Sequence, residues 1–288
     1  MLNPWPAGDP RRALTVDQQI AEVNAATLDE IRAFHRDYYG ATSGQIAIVG
    51  DFDPKQVEKQ VEALFSGWKS KVEYARLEDP YREVRALATR IEVPDKESAV
   101  FASALPFRMK DSHPDYPSLA IAGFMTGGGF LSSRLATRLR QKDGLCYGVG
   151  SWMGVPALDD SASMGGWAIY APQNADKLEN GFREEIEKVA TAGFAADELD
   201  EARKGWLQQR QVSRAQDGEL VGKLANYEYL GRTLAWDATV EDAVRVVKVE
   251  DVNAAVKRHV DPKAMSLVMA GSFNAPLEPG LPVASTPD

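Results

Sequence analysis

The chain has 288 residues, 44% hydrophobic and 26% charged, which is the composition of a soluble globular protein with one or two domains. Its net charge of -9 argues against general binding to nucleic acid or to anionic membranes. No apolar run is long enough to span a bilayer, and no signal-peptide core follows Met1. A single cysteine, Cys146, excludes an internal disulfide and leaves the compartment open between bacterial periplasm and cytoplasm.

The sequence repeats itself over a long interval. Residues 27–52 align without a gap with residues 248–273, at an offset of 221 positions (271 minus 50). Each copy has the pattern of a charged, capped helix, a short turn and a strand that ends in Gly-x-Phe. A generic helix–strand pairing is the alternative explanation, but the shared register and the identical ending favour duplication of a domain-sized unit.

The repeat predicts the domain organisation of the chain. Residues 1–70 are expected to be the closing half of a preceding domain, ending in an amphipathic helix over 56–70. A charged linker over 71–90 follows, then a complete domain over 91–275 and a tail over 276–288. We therefore expect the chain to be the tail fragment of a longer tandem protein.

The hydrophobic pattern of the complete domain predicts strands around a block of helices. The predicted strands are 98–105, 145–153, 162–171 and 265–271, and the predicted helices are 114–126, 131–142, 174–192, 197–214, 217–231 and 248–259. The second and third of these strands are expected to form an antiparallel pair. Because the strands do not alternate with the helices, the predicted class is α+β, with a mainly antiparallel sheet packed against helices.

The stretch TGGGFLSSRLATRLRQKDGLCYGVGSW, residues 126–152, combines consecutive glycines with three arginines. A phosphate-binding P-loop needs G-x-x-x-x-G-K-[ST], because its lysine and hydroxyl contact the phosphates and the magnesium ion. Here Gly127, Gly128 and Gly129 are followed by apolar residues, and the dinucleotide pattern G-x-G-x-x-G is missing as well. The glycines therefore do not indicate phosphate binding.

Arg140 and Tyr147 are the candidate peptide-contacting residues of this stretch. Leu131, Leu135 and Leu139 recur every four residues as a core stripe, which places Arg140 on the opposite helix face. Tyr147 follows on the next strand, so the two side chains are expected at one helix–strand junction. There they can hydrogen-bond a peptide carbonyl, or the oxyanion formed when that carbonyl is attacked. The alternative is that Arg140 is a solvated charge and Tyr147 a core ring.

Two motifs carry a family resemblance. The stretch GGGxxSSRL, continued by LRQKDGLCYGV over 139–149, resembles the signature of the C-terminal half of the insulinase and pitrilysin zinc peptidases, family M16. The segments FHRDYYG over 34–40 and IVGDFDP over 48–54 resemble the part of the same family that closes a domain. The similarity extends from Asp17 to Phe273, and the two motifs in this order are specific.

The resemblance implies a fold and a role. Members of the family have repeated α+β domains of the LuxS/MPP-like type, and two halves close around a peptide. The N-terminal half holds zinc on an inverted H-x-x-E-H helix, and the C-terminal half supplies an arginine and a tyrosine that reach the substrate. The matching substrate-binding residues are Arg140 and Tyr147. The glycines Gly127, Gly128 and Gly129 are expected to let a neighbouring backbone approach closely.

The zinc motif of the family is missing from this sequence. Its three histidines, His35, His113 and His259, have no histidine four residues away. A hydrolytic zinc needs about three protein ligands and a general base. We therefore expect no metal and no catalytic residue in this chain, and we expect zinc in a partner half on the same or another polypeptide.

The expected function follows from the resemblance. The chain is interpreted as the inactive, C-terminal domain of an M16 zinc metalloprotease, contributing peptide binding and transition-state contacts to a zinc-bearing half. The alternative is a catalytically dead structural or assembly subunit of the same type. The expected partners are the zinc-bearing half and a peptide substrate. The carboxylates of 184–187 and 197–201 are interpreted as solvated helix faces, and Cys146 as a small buried hydrophobe.

Overall fold

The computed structural model describes residues 5–273, which form two compact units. The first unit comprises Pro80–Leu207 and the described residues from Glu241 to Phe273. The second unit comprises the described part of Asn3–Asp79 together with Gln208–Val240. The predicted tail lies outside the described residues, and the predicted domain boundaries stay a prediction.

A five-stranded sheet organises the first unit. Its strands are β1 (Ala88–Glu92), β2 (Ala99–Arg108), β3 (Cys146–Gly154), β4 (Ser161–Tyr170) and β5 (Ser266–Gly271). They lie in the order β1-β5-β2-β4-β3. The pair β1–β5 is parallel, and the other three pairs are antiparallel, including the predicted pair β3–β4. The α+β class with a mainly antiparallel sheet is thereby confirmed.

The described chain also contains helices on both sides of the strand-rich segment of sequence. They are α1 (Val16–Ala25), α2 (Leu28–Tyr38), α3 (Pro54–Phe65), α4 (Tyr116–Gly123), α5 (Ala175–Thr191), α6 (Ala196–Arg214), α7 (Asp217–Tyr229), α8 (Ala235–Val246) and α9 (Val249–His259). Two π-helical segments, 124–128 and 136–142, lie between α4 and β3. No helix among residues 5–273 combines the length and apolar character needed to cross a membrane.

The core of the first unit lies between one face of the sheet, helix α5 and the helical segment that contains Leu135 and Leu139, and α9 packs on α4 and α5. Phe101 of β2 and Phe182 of α5 contact each other with their ring centroids 4.6 Å apart. Burying an aromatic ring of this size contributes roughly 1.5–3 kcal/mol. Leu178 of α5 and Val256 of α9 are also almost fully buried. Helix packing against the sheet therefore holds this unit together.

The predicted leucine stripe of 131–142 is partly wrong. Leu135 and Leu139 are both 0% exposed, but Leu131 is 40% exposed. The chain makes a 3-10 turn over Phe130–Ser132, and Ser133 is extended, so the regular helix begins only after Ser133. From residue 136 the helix is π-helical, with more residues per turn than the α-helical wheel assumes.

Three elements escaped the sequence prediction: helix α1, strand β1 and helix α8. Strand β1 lies at the end of the predicted linker 71–90, where the charged composition conceals it. It is short, and all five of its residues are exposed, so it lacks the apolar alternation that identifies a strand. Helix α8 was missed because the predicted helix before it, 217–231, ends at a glycine, and the next residues are polar.

The helix starts of the second unit follow the capping signals of the sequence. Thr15 and Gln18 form a capping box at the start of α1, and Thr27 and Glu30 form another at the start of α2. Asp53 accepts hydrogen bonds from two backbone N–H groups at the start of α3. Each side chain satisfies N–H groups that a helix start leaves without a partner.

The second unit departs from the prediction at one strand and one helix end. The predicted closing helix 56–70 is α3, which begins earlier and ends at Phe65. Residues 45–50 read as a strand in the sequence, yet they form no ladder with any described residue. Their side chains Ile46 and Ile48 are 52% and 44% exposed. Residues 45–50 therefore have the sequence pattern of a strand but no neighbouring strand among the described residues.

Candidate functional site

Strand β3 forms one open edge of the sheet, and Tyr147 lies on it. β3 pairs with β4 and with no other described strand. An edge strand presents unpaired N–H and C=O groups to which an extended peptide can add. The register shifts between Cys146 and Gly148, so Tyr147 is the extra residue of a β-bulge. Bulges redirect side chains, and the Tyr147 side chain is 63% exposed. Tyr147 is therefore a surface phenol and not a core ring.

Arg140 is the unpaired arginine of the three in the glycine–arginine stretch. Arg134 makes two 2.7 Å hydrogen bonds to the carboxylate of Glu198. Arg138 forms ion pairs of 3.2 Å with Asp143 and with Glu184. Arg140 is exposed and makes no hydrogen bond or ion pair with a residue of the described chain. Its guanidinium is therefore available to a ligand, whereas the other two hold the fold.

Cys146, the first residue of β3, is a buried thiol. Burial raises the pKa of the Cys146 thiol to about 11, and the positive charge of Arg140 opposes that rise. The thiol therefore stays protonated at neutral pH and is not a nucleophile. Arg140 and Tyr147 lie in consecutive elements, the π-helical segment and β3, and their joint role stays a prediction. Gly144 makes the turn between them at φ +62°, a backbone conformation that favours glycine.

The three consecutive glycines differ in what surrounds them. A Cβ on Gly127 would lie 2.4 Å from the backbone nitrogen of Ser151 in β3, so this glycine lets the π-helical segment approach the strand. A Cβ on Gly129 would lie 3.0 Å from the carbonyl oxygen of Phe124. A Cβ on Gly128 would meet nothing closer than 3.4 Å. Close approach of a neighbouring strand is thus a property of Gly127 alone among the three.

Replacing Gly127 with alanine is expected to destabilise the protein by about 2 kcal/mol, because the new methyl group overlaps the backbone of β3 and forces a shift. The matched control is Gly128→Ala, where ordinary van der Waals contact leaves room for the methyl group. Thermal unfolding followed by circular dichroism compares the two variants. Equal melting temperatures for the two variants would show that the contact between Gly127 and Ser151 does not limit packing.

Phe130, directly after the glycines, is a surface feature that sequence reasoning missed. Its backbone has φ +53°, in the left-handed region that bulky residues rarely adopt, and its ring is 72% exposed. Strained residues cluster at functional sites. No sequence signal distinguishes this phenylalanine from a core residue, since an apolar side chain before a leucine stripe is ordinarily read as buried.

The sheet face opposite the core is apolar and exposed. Val100 of β2 pairs with Ile169 of β4, and both are exposed, at 49% and 42%. Trp167 of β4 is 42% exposed, and its ring covers Gly148 and Gly150 of β3, where a Cβ would come within 3.3 and 3.0 Å. The two glycines make space for the indole. This face adjoins the open edge of β3, so an added peptide would meet apolar side chains there.

One group of metal-ligating side chains occurs among residues 5–273. Ligand atoms of His113, Asp115 and His259 lie within 4.8 Å of one another. Arg258 donates hydrogen bonds of 2.9 and 2.7 Å to the two oxygens of Asp115, and His259 Nε2 lies 2.9 Å from one of them. The Arg258 guanidinium holds the pKa of Asp115 below its usual value. The carboxylate is thus committed to an arginine, and the set does not fit a hydrolytic zinc with three ligands, an open position and a general base.

Two carboxylates that were predicted to lie on solvated faces of α5 and α6, those of Glu185 and Glu198, are instead buried or hydrogen-bonded within the fold. Glu185 is 8% exposed, so it is not on a solvated helix face. The bidentate hydrogen bonds from Arg134 hold the pKa of Glu198 below its usual value. Arg134 also donates a 2.8 Å hydrogen bond to the carbonyl of Gly193. These contacts join the glycine–arginine stretch to α6 and to the turn that precedes it.

Together the fold and site define a class of protein. The first unit is an α+β domain with an exposed, apolar sheet face, an exposed tyrosine on its edge strand β3 and an exposed arginine in the π-helical segment that precedes this strand. Residues 25–205 match the family model described as Peptidase M16 inactive domain. Because that match covers more than half of the chain, the chain belongs to the M16 peptidase family, in its inactive-domain branch.

Relatives at the sequence and structure level agree with this assignment. The chain is 31% identical over 267 residues to an uncharacterized zinc protease of Streptomyces coelicolor, covering 86% of this chain and 54% of that relative. It is 25% identical over 185 residues to a non-peptidase homolog of Helicobacter pylori, covering 64% of this chain and 42% of the relative. The chain thus spans about half the length of these relatives. The crystal structure of a peptidase M16 inactive domain from Pseudomonas fluorescens has the same fold, with a TM-score of 0.72 at 24% identity over 90% of this chain and 61% of that one.

Proposed function

We propose that this chain is the zinc-free half of a two-sided peptidase and holds the peptide while a zinc-bearing half cleaves it. The observation that carries the proposal is that Tyr147, on the edge strand β3, and Arg140, in the π-helical segment that precedes β3, are both exposed and make no hydrogen bond or ion pair with another described residue. Inactive M16 domains pair with zinc-bearing halves, and this chain matches the inactive-domain model over 25–205. The set His113, Asp115 and His259 does not fit the hydrolytic zinc, so the metal chemistry is assigned to the partner.

An extended peptide has a place to bind on the first unit. It would add along β3 through backbone hydrogen bonds, which give affinity without requiring a particular sequence. Its side chains would alternate, and those on one side would meet the apolar face around Trp167 and Ile169. Burying these half-exposed side chains supplies the hydrophobic part of the binding free energy. The proposed site therefore favours extended peptides with apolar residues at alternate positions.

Arg140 and Tyr147 have distinct roles in the proposal. The Arg140 guanidinium donates hydrogen bonds in a fixed planar arrangement and keeps its charge at every physiological pH. The Tyr147 hydroxyl donates a single hydrogen bond from an exposed ring on the bulge. In a complex with a zinc-bearing half, which would supply the hydrolytic chemistry, both groups would hydrogen-bond the carbonyl oxygen of the bound peptide. They would then stabilise the negative charge that grows on this oxygen when the carbonyl is attacked.

The proposal is tested by mixing the chain with its zinc-bearing half. The purified chain alone is expected to hold no stoichiometric zinc and to cleave no peptide. Addition of the zinc-bearing half is expected to give cleavage of a fluorogenic extended peptide, at a rate that saturates at an equimolar ratio. Metal content is measured by atomic absorption. Proteolysis by the chain alone with bound zinc, or full activity of the zinc-bearing half without this chain, would contradict the proposal.

A second function is favoured by one relative. The Helicobacter pylori protein at 25% identity is described as a non-peptidase homolog. In the corresponding reading, this chain is an assembly subunit, and Arg140 and Tyr147 are surface residues without a substrate. The mixing experiment separates the two readings, since an assembly subunit binds its partner without producing cleavage.

A further inference from the structure

An apolar cavity lies inside the first unit, between the core face of the sheet and the helices packed on it. It encloses about 50 Å³. Helices α4, α5 and α9 and strands β3 and β4 contribute to its lining, with residues such as Leu119, Phe182, Val189, Val256 and Met164. None of the described residues that line it is charged. Protein cores leave few voids larger than a water molecule, so a cavity of this size needs an explanation.

The lining of the cavity favours an apolar occupant over water. Its two side-chain hydroxyls are already donated to helix carbonyls. Thr126 Oγ lies 2.8 Å from the carbonyl oxygen of Ala122, and Ser151 Oγ lies 3.0 Å from that of Gly123. An enclosed water needs roughly two to four polar partners, and an apolar cavity stays dry or takes an apolar group. The chemistry of the lining therefore selects an uncharged, apolar group.

The cavity is closed on the side of α5 and α9 and more open on the side of the edge strand β3. Phe182, Val189 and Val256 are at most 3% exposed. Gly123 at the end of α4 and Met153 of β3 are half-buried. A Cβ on Gly123 would meet no neighbouring atom within 4 Å, so space is left beside the end of α4. The accessible part of the lining thus belongs to β3 and to the end of α4.

Strand β3 contributes its helix-facing side to the cavity. The Ser151 hydroxyl reaches α4, so Ser151 points to the helix side of the sheet, and Met153, two residues further along, points the same way. Met153 lies opposite Met164 of β4, which also lines the cavity. A strand added to β3 has every second side chain on this face, at a strand spacing of about 5 Å. One of these side chains would therefore lie beside the cavity.

We propose that the cavity is a specificity pocket that takes one small aliphatic side chain from the peptide bound along β3. The inference rests on the proposed function, because it takes that peptide as the source of the side chain. One water needs roughly 10–15 Å³ of such space, so the cavity holds roughly four non-hydrogen atoms, the size of a leucine side chain. The peptide's other side chains would meet the opposite face of the sheet, around Trp167.

Three methionines make the pocket adaptable. Met153, Met164 and Met265 line it. Methionine side chains are unbranched and change conformation easily, so they fill irregular space. They can move aside for a valine or leucine side chain and close the space when it is empty. A phenylalanine ring exceeds the available space, and a glutamate would bring its charge into a lining that has no charged partner for it.

The test measures the binding of fluorescent extended peptides to the chain alone, by fluorescence anisotropy. The peptides carry a single leucine, alanine, phenylalanine or glutamate at each position in turn. At one position, leucine is expected to bind about 100-fold more tightly than alanine or glutamate, because only leucine fills the pocket. Ala122→Leu fills the cavity from α4 and is expected to abolish this preference while leaving the affinity of the alanine peptide unchanged. The control Ala238→Leu makes the same substitution at an exposed position of α8.

A second variant tests the pocket by enlarging it. Val189→Ala removes two methyl groups from the α5 wall. It is expected to raise the affinity of the phenylalanine peptide about tenfold and to leave that of the alanine peptide unchanged. A gain of affinity for one side chain cannot come from partial unfolding, so this variant decides the matter even if Ala122→Leu does not fold. Melting temperatures followed by circular dichroism accompany both variants.

The outcomes separate this inference from the proposed function. Peptides that bind and are cleaved in the two-half protein, without a leucine preference at any position, would overturn the pocket and leave the proposed function standing. A leucine preference that Ala122→Leu abolishes, in a mixture that cleaves nothing, would support the pocket and contradict the peptidase role. Xenon that shifts the methyl signals of Met153 and Met164 in NMR spectra, without any peptide preference, would identify a pocket for free apolar molecules and overturn the peptide as its occupant.

Discussion

Replacing Arg140 with alanine in the complete two-half protein is expected to lower the turnover of a peptide substrate by about 100-fold. Removal of one preorganised donor from the site of a growing oxyanion has an effect of this size, since the transition state carries more negative charge than the substrate. The loss is therefore expected in kcat more than in KM. Tyr147→Phe removes one neutral hydrogen bond and is expected to cost about tenfold.

The control for these variants is a second exposed arginine. Arg85 is exposed and has no described partner, so Arg85→Ala removes the same charge at another place on the surface. Its turnover is expected to match the wild type. Zinc content and melting temperature of each variant are measured alongside, because Arg140 and Tyr147 make no contact that stabilises the fold. Unaltered turnover in both Arg140→Ala and Tyr147→Phe would contradict their role and favour the assembly subunit.

The α+β class was predictable from the sequence because it rests on local patterns. Apolar runs identified β2, β3 and β4, and the charged, capped pattern that begins at Thr27 identified α2. β1 could not be found in this way, because an exposed edge strand is stabilised by its ladder to β5 and carries no apolar pattern. Residues 45–50 show the converse: they have a strand pattern but form no ladder with any described residue, because a pattern gives a preference and pairing needs a neighbouring strand.

The candidate site was predictable in its residue types but not in its geometry. The motif picked out Arg140 and Tyr147, yet their exposure depends on a β-bulge and a π-helical segment, and neither has a periodic signal. Sequence spacing also did not separate Arg140 from Arg134 and Arg138. That separation depends on which carboxylates the fold brings close, namely those of α5 and α6 and of the loop before β3.

The ion-pair network around Asp237 was not predicted, because its members are scattered over three helices. Asp237 of α8 is only 4% exposed. It accepts hydrogen bonds from Lys223 and from the Tyr227 hydroxyl, each 2.8 Å long, and from Arg210. Burial alone would raise the pKa of Asp237, but these hydrogen bonds and the charge of Arg210 outweigh it and hold the pKa below its usual value. One carboxylate thus ties α6, α7 and α8 together within the second unit.

Asp237→Ala is expected to destabilise the second unit by about 3 kcal/mol at neutral pH, since it leaves two half-buried cations and a buried hydroxyl without their acceptor. Asp237→Asn keeps a hydrogen-bond acceptor for the Tyr227 hydroxyl, so this variant is expected to lose less stability than Asp237→Ala. Urea unfolding followed by tryptophan fluorescence measures the unfolding free energy of both variants. Trp236, next to the substituted residue, is a fluorophore for this measurement. The control Asp242→Ala removes a carboxylate that is 72% exposed and is expected to cost under about 0.5 kcal/mol.

The pH dependence of the Asp237 variant gives an independent check on the network. The folded-state pKa of Asp237 lies below its unfolded value, so its carboxylate stabilises the folded state above the unfolded pKa of about 3.9. That contribution is lost as the pH falls through the lower, folded-state pKa. The difference in unfolding free energy between wild type and Asp237→Ala is therefore expected to be constant from pH 7 to pH 5 and to shrink below about pH 4. A difference that stays constant to pH 3 would show that the aspartate acts through packing and not through its charge.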